Sequence, residues 1–321
     1  MNSDLQLPLI PSKTRIHSTS GVGIAPKSDI LLVHADTLDY LSSIPDESIR
    51  LVVSSPPYNI GKPYEQRIEM ERYLEWQRRV LRECHRVLAL DGSICWEVGN
   101  HVSGGEIFPL DIFFYRILKE ELGFKLRNRI IWQFEHGLHA RKRFSGRYEV
   151  ILWFTKGEDF VFNLDNVRVP QKYPGKRHFK GPKKGLLSGN PLGKNPGDIW
   201  AFLESEWDKE IWDIPNVKWN HPEKTEHPAQ FPIELVERLL LALSDPEDTI
   251  LDPFMGVGSS LIAAMLHGRH GIGIDSDKEY VDVAKKRLNA ASEGTLKRRK
   301  LGTEKHMPNG REKVAQRPAE W

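Results

Sequence analysis

The stretch Ile250-Leu251-Asp252-Pro253-Phe254-Met255-Gly256-Val257-Gly258-Ser259-Ser260 reads as a buried strand, a tight glycine turn and the start of a helix. Gly256 and Gly258 let the backbone pass close to a ligand, and the helix N-terminus that follows offers unpaired N–H groups. About twenty residues on, Gly271-Ile272-Gly273-Ile274-Asp275 is a second strand, ending in an acid placed to accept hydrogen bonds from ribose hydroxyls. A glycine turn alone marks no more than a generic nucleotide-binding loop. Two such strands at this spacing imply a ligand site without naming the ligand.

Outward from this point, strand-like runs alternate with helix-like runs, the pattern of a mostly parallel sheet covered by helices. The expected strands are Ile30–His34, Ile49–Ser54, Ser93–Val98, Arg129–Phe134, Glu149–Phe154, Thr249–Asp252 and Gly271–Asp275. Met70, Tyr73, Leu74, Gln77, Val80, Leu81, Cys84, Val87 and Leu88 recur at steps of three and four, which predicts a helix over 69–89. Phe231, Leu235, Val236, Leu239, Leu240 and Leu243 predict another, and a last helix ends near Asn289. Between Asn163 and Glu226 the chain is rich in Pro, Gly, Lys, Asn and Trp and keeps no periodicity. The sequence therefore divides into an N-terminal arm (1–28), one half of an α/β domain (29–157), an irregular module (158–226), the second half (227–291) and a basic tail (292–321) expected to be disordered. The two halves must share one sheet, because the last strands could not bury a core alone.

Hydrophobic content of 39% and charged content of 28% describe an ordinary globular protein. No apolar run approaches the roughly 18 residues of a membrane span, and the N-terminus lacks a secretory core. The two cysteines, Cys84 and Cys95, fall inside expected regular elements, which argues for a reducing compartment and against disulfides or a metal site. The net charge of +2 matters less than its distribution. Between Arg168 and Gly197 stand Lys172, Lys176, Arg177, Lys180, Lys183, Lys184 and Lys194 with no acid among them, interleaved with Tyr173, His178 and Phe179. A phosphate backbone is the natural partner for such a block. Arg141-Lys142-Arg143 forms a second basic cluster in the loop before the Glu149 strand, whereas Lys297–Lys300 reads as a solvated end.

The remaining motif, Ser54-Ser55-Pro56-Pro57-Tyr58-Asn59, directly follows the apolar strand Ile49–Val53. Two prolines fix φ at successive positions and force a rigid, extended exit. Ser55-Pro56-Pro57-Tyr58 resembles the catalytic motif of the amino-methyltransferases that modify DNA, and Asp252-Pro253-Phe254-Met255-Gly256-Val257-Gly258 resembles their S-adenosylmethionine motif. The catalytic motif comes first, which matches the permuted β-class of the restriction–modification type. His227-Pro228-Ala229-Gln230-Phe231-Pro232 resembles the segment that class places before its cofactor motif, with Phe231 in place of the usual lysine. Val33-His34-Ala35-Asp36-Thr37-Leu38 resembles the strand end that holds the cofactor's adenine ring through its acid.

That resemblance, spanning roughly residues 30–290, implies an α/β Rossmann-like methyltransferase fold with a mostly parallel seven-stranded sheet and an irregular target-recognition module. It implies S-adenosyl-L-methionine at Asp36, His227, Pro228, Asp252, Phe254, Gly256, Gly258, Ser259 and Asp275. Double-stranded DNA would lie against Arg141, Lys142, Arg143, Lys180, Lys183 and Lys184. A cognate restriction endonuclease, a homodimer and a prokaryotic cytoplasmic location are further expectations. An exocyclic amino nitrogen is a poor nucleophile because its lone pair is delocalised into the ring. Two acceptors taking its N–H groups, Ser55 Oγ and the Pro56 carbonyl, would pyramidalise it for in-line attack. Tyr58 would stack on the flipped base, so that its face matters more than its hydroxyl. Neither cysteine follows a proline, so carbon-5 methylation through a cysteine nucleophile is set aside. Serine before the proline pair favours N4 of cytosine; N6 of adenine is the alternative. A methyltransferase acting on RNA or on protein glutamine, and a DNA-binding module without turnover, are the more distant readings.

Overall fold

The computed structural model describes residues 14–20, 30–61, 67–134, 139–171, 173–200, 214–218 and 221–301. Its strands are β1 (Ile16–Ser20), β2 (Ile30–His34), β3 (Ile49–Ser54), β4 (Leu88–Val98), β5 (Asn100–Ser103), β6 (Glu106–Pro109), β7 (Lys125–Gln133), β8 (Tyr148–Thr155), β9 (Ile199–Trp200), β10 (Thr249–Asp252) and β11 (His270–Asp275). The helices are α1 (Thr37–Leu41), α2 (Met70–Val87), α3 (Leu110–Arg116), α4 (Ile233–Leu243), α5 (Ser259–Leu266) and α6 (Lys278–Ser292).

One sheet runs in the order β1-β2-β11-β10-β3-β4-β8-β7-β9, and β5 with β6 forms a separate hairpin. The expected seven strands make up its middle, from β2 to β7. Within that sheet β8 is antiparallel to both of its neighbours, and every other pairing is parallel. Apolar residues alternate between the two faces, as the period of a strand demands. Ile30, Leu32 and Ile250 join Leu240, Ile262 and Leu288 of α4–α6 on one side. Leu31, Val33 and Leu251 join Val80, Leu81 and Phe114 of α2 and α3 on the other. Cys84 and Cys95 are fully buried within these layers, where loss of solvent pushes both thiols up. They are packing residues.

Two expectations need correction. The first 28 residues are not wholly an arm, because Ile16–Ser20 pairs residue by residue with β2 as an edge strand; residues 1–13 and 21–29 lie outside the described residues. The tail is not disordered from 292 onward. Arg299 is 9% exposed and its guanidinium meets the buried Glu234, while Arg298 reaches Glu237 at 3.2 Å. Buried α4 carboxylates need cations: Arg238 of the same helix lies 3.5 Å from Glu234, and Arg298 and Arg299 come some sixty residues later, too far for a local pattern to reveal; 302–321 lie outside the described residues. No helix among the described residues is long and apolar enough to cross a membrane.

Candidate active site

The C-terminal ends of β10, β3 and β11 meet at the middle of the sheet, and both sequence motifs leave from there. Asp252 is fully buried and accepts from Ser54 Oγ at 2.6 Å, from Ser260 Oγ and from the Phe254 N–H at 3.1 Å. It ties the cofactor-type turn to the strand that carries Ser55. Thr37 Oγ1 donates to the Pro253 carbonyl at 2.8 Å, and the Met255 N–H to the Ile274 carbonyl at 3.0 Å. The turn is thus clamped on three sides.

Beside it opens a cavity of about 280 Å³, lined by Asp36, His227, Phe254, Gly256, Ser259, Asp275 and Tyr280 among others. Asp275 Oδ1 accepts from the Asp277 N–H and Oδ2 from the Gly256 N–H, at 2.8 and 2.9 Å. Each oxygen keeps a lone pair for a further donor. Burial raises its carboxyl from 3.8 to about 6, although those two N–H groups pull the other way. Gly256 sits at φ +50°, and a Cβ there would come within 3.2 Å of His227 Nε2. His227 accepts from the Ala229 N–H through Nδ1 and stands edge-on to Tyr280 at 4.5 Å. Burial, with Lys224 and Arg287 nearby, lowers it to about 4, so the ring is neutral. A two-acceptor carboxylate, an aromatic wall and a turn with no side chain are what a ribose–adenine moiety requires. These residues fit such a nucleoside cofactor.

Three of the expected cofactor residues are placed differently. Asp252 and Gly258 are absent from the cavity lining, and Pro228 lines the neighbouring cavity instead. Strand alternation turns Asp252 to the same side as Ile250, toward the start of α5, so its role is to hold the turn. Gly258 serves the backbone: it takes φ +77° as the N-cap of α5 and packs against Ala284. Asp36 lines the cavity but also caps α1, accepting from the Leu38 and Asp39 N–H groups at 2.8 and 3.2 Å.

Ser55, Pro56, Pro57 and Tyr58 line the same cavity, so the structure brings the two motifs together. Their loop is held by side chains that no sequence pattern singles out. Tyr73 Oη, from α2, donates to the Pro57 carbonyl at 2.7 Å. His101 Nδ1 lies 3.2 Å from the Tyr58 carbonyl, and Asn59, left-handed at φ 58°, bonds both backbone groups of Ile68 at 2.8 Å. Ser55 Oγ lies 3.0 Å from Tyr58 Oη, which donates to Glu97 Oε2 at 2.9 Å. With Glu97 ionised and accepting from the tyrosine hydroxyl, Ser55 is left to donate in the first contact. Its lone pairs are left for an incoming N–H. Glu97 and its neighbour Glu149 are both raised, first by burial and, for Glu149, by the charge of Glu97. A carboxylate within the apolar run Ile94-Cys95-Trp96-Glu97-Val98 was the one signal in the sequence that could have found Glu97.

Ser55, Tyr58, Glu97 and Glu149 also face a wider cavity of about 510 Å³, whose lining includes Arg143 and Phe144. Arg141, Lys142, Arg143, Lys180, Lys183 and Lys184 are all exposed. Arg168 is not available in the same way: it pairs with Asp165 at 2.6 Å and donates to the Gly193 carbonyl at 3.1 Å.

A family described as "DNA methylase" matches residues 49–286. The chain is 50% identical over 254 residues to "Type II methyltransferase M.BglII" of Bacillus subtilis, covering 79% of this chain and 67% of that one. Among solved structures, TTHA0409 of Thermus thermophilus in complex with S-adenosyl-L-methionine is 28% identical, with a TM-score of 0.56 over 88% of this chain and 97% of that one. The PvuII DNA methyltransferase, described as cytosine-N4-specific, has a TM-score of 0.60 over 87% of this chain and 94% of that one. At 21% identity that likeness bears on the fold alone.

Proposed function

This chain belongs to the DNA methylase family of β-class amino-methyltransferases, and from that premise we propose that it methylates N4 of cytosine at a specific site in double-stranded DNA. It is an S-adenosylmethionine-dependent DNA methyltransferase. Bound in the smaller cavity, the cofactor supplies an electrophilic methyl group on a sulfonium. Asp275 would accept the ribose hydroxyls, and His227, Tyr280 and Phe254 would wall its ring. Ser55 carries the choice of an amino group as target: with Glu97 ionised, the serine proton is drawn along the Tyr58–Glu97 chain and the serine lone pairs are left for the substrate. A lone-pair face suits an N–H donor, and the Pro56 carbonyl would take the second N–H. Serine ahead of the proline pair favours cytosine over adenine. Segment 158–226 would read the site, a cognate endonuclease would share it, and the enzyme would act in a prokaryotic cytoplasm. Expression in a methylation-free host, followed by sequencing of modified bases, tests both base and site; methyl groups on adenine N6 would replace the cytosine assignment.

Cofactor affinity should depend on pH through Asp275. Ribose donors favour the ionised carboxylate, and burial holds the free protein's carboxyl near 6. Affinity by calorimetry should therefore be level above pH 7 and fall as the pH drops through about 6, by at most about tenfold per pH unit for one proton. Asp275→Asn should bind more weakly and lose that slope. A wild-type affinity unchanged down to pH 5 would remove Asp275 from the ribose.

Replacing Lys180, Lys183 and Lys184 together should weaken duplex binding and reduce its salt dependence, by about 0.9 in log–log slope for each phosphate no longer neutralised. Unchanged affinity and slope in a fluorescence titration would make the stretch a solvated loop.

A further inference from the structure

Phe144 is 99% exposed, more than any other large apolar side chain among the described residues. It stands at the tip of a short turn closed by the Ala140 N–H to Ser145 Oγ bond, at 3.1 Å. Arg141, Lys142 and Arg143 precede it directly and are themselves exposed. The same ring lines the wider cavity that Ser55 and Tyr58 also line. One exposed apolar ring is ordinary, but Phe144 shares the lining with the part-exposed Val102, Ile107 and Tyr148, and such a grouping marks a surface for a partner. Its cationic flank selects a polyanion, and its place in one cavity lining with Ser55 and Tyr58 selects the base stack. When a nucleotide swings out of a duplex its neighbours lose their stacking partner, and an inserted apolar side chain can restore part of that stacking.

We propose that Phe144 enters the duplex and fills the gap left by the flipped nucleotide, while Arg141 and Lys142 hold the adjoining phosphates; this rests on the base-flipping DNA methylation argued above. Phe179 is 89% exposed next to Lys180, but it does not line the cavity. It has the chemistry of a wedge without the position, and so provides the control.

Once the site is mapped, single-turnover methylation is measured on two duplexes, one with the target base paired and one with it mismatched. Extrusion is easiest for a mismatched base. Phe144→Ala should lose about tenfold to a hundredfold on the paired duplex, the effect of removing one stacking partner, and should recover most of it on the mismatched one. Phe144→Trp should stay near wild type on both. Phe179→Ala should change the two rates by the same factor. Because Phe144 is solvent-exposed, its alanine variant should keep the wild-type Tm and cofactor affinity. A Phe144→Ala enzyme with no loss, or with equal loss on both duplexes, overturns the wedge; equal loss with a shifted sedimentation coefficient assigns the ring to a protein interface instead. A wild-type enzyme inactive on both duplexes removes the methyl-transfer premise itself.

Discussion

Ser55→Ala is expected to slow single-turnover methyl transfer by about a hundredfold or more while changing DNA and cofactor affinity little. Loss of one preorganised oxyanion-hole donor costs about that much elsewhere, and an acceptor that strengthens its bond only as the amino nitrogen pyramidalises acts on the transition state. Tyr58→Phe separates the hydroxyl from the face. The sequence weights the face over the hydroxyl, and the geometry adds a part for the hydroxyl: Tyr58 Oη lies 2.9 Å from Glu97 Oε2 and 3.0 Å from Ser55 Oγ, a chain that draws the Ser55 proton away from an incoming N–H when Glu97 is ionised. Without it the serine can turn its proton toward the base. Tyr58→Phe should therefore lose roughly tenfold, by weakening one charge-assisted contact, with base stacking intact. Ser55→Ala running near the normal rate would leave the Pro56 carbonyl as sole acceptor. A Tyr58→Phe enzyme at full speed would detach the Glu97 chain from catalysis.

The second large effect falls on stability. Asp252→Ala leaves the hydroxyls of Ser54 and Ser260 and the Phe254 N–H without their acceptor in a fully buried place. Hydrogen bonds to a charged group contribute about 1.5–3 kcal/mol each, while burial of the charge itself is a cost. A net loss of about 3 kcal/mol is expected, seen as a Tm lower by roughly 4–5 °C. Cofactor binding should fail with it, because the turn is no longer held. Burial raises Asp252 from 3.8 to about 6. A raised acid favours the fold fully below its unfolded value and loses that contribution as the pH rises through about 6. Asp252→Asn, neutral throughout, should be milder than alanine and should remove part of the stability change between pH 4 and 6. An alanine variant with wild-type Tm would mean that Asp252 faces the ligand after all.

The centre of this fold was readable because its signals are local. Ile49–Ser54 and Thr249–Asp252 form at the bounds that their apolar runs predict, and α2 lies within one or two residues of its stripe. Proline pairs and glycine turns fix backbone shape over four residues, so both motifs were visible as strand exits. What was missed depends on distant partners. β1 is polar and becomes a strand only because β2 offers an edge; β9 has two residues and pairs with β7 from within the irregular module. Tyr73 looked like one more member of an apolar stripe, yet its hydroxyl reaches the Pro57 carbonyl. The family resemblance places Asp252 at the ligand, whereas the direction of its side chain depends on which face of the sheet Ile250 has already taken.

The seam between β3 and β10 also bears on how the chain comes into being. Ser54 and Asp252, bonded to each other at the middle of the sheet, are 198 residues apart. At a synthesis rate of about 5–20 residues per second, the central strand waits roughly 10–40 s for its neighbour to be made. Over that interval Ile49–Ser54 offers a bare apolar edge of the kind that other unfinished chains can pair with. The permuted order that sets the catalytic strand first thus makes a late-arriving strand the one that closes the middle of the sheet, and it keeps an adhesive apolar edge of the nascent chain open meanwhile.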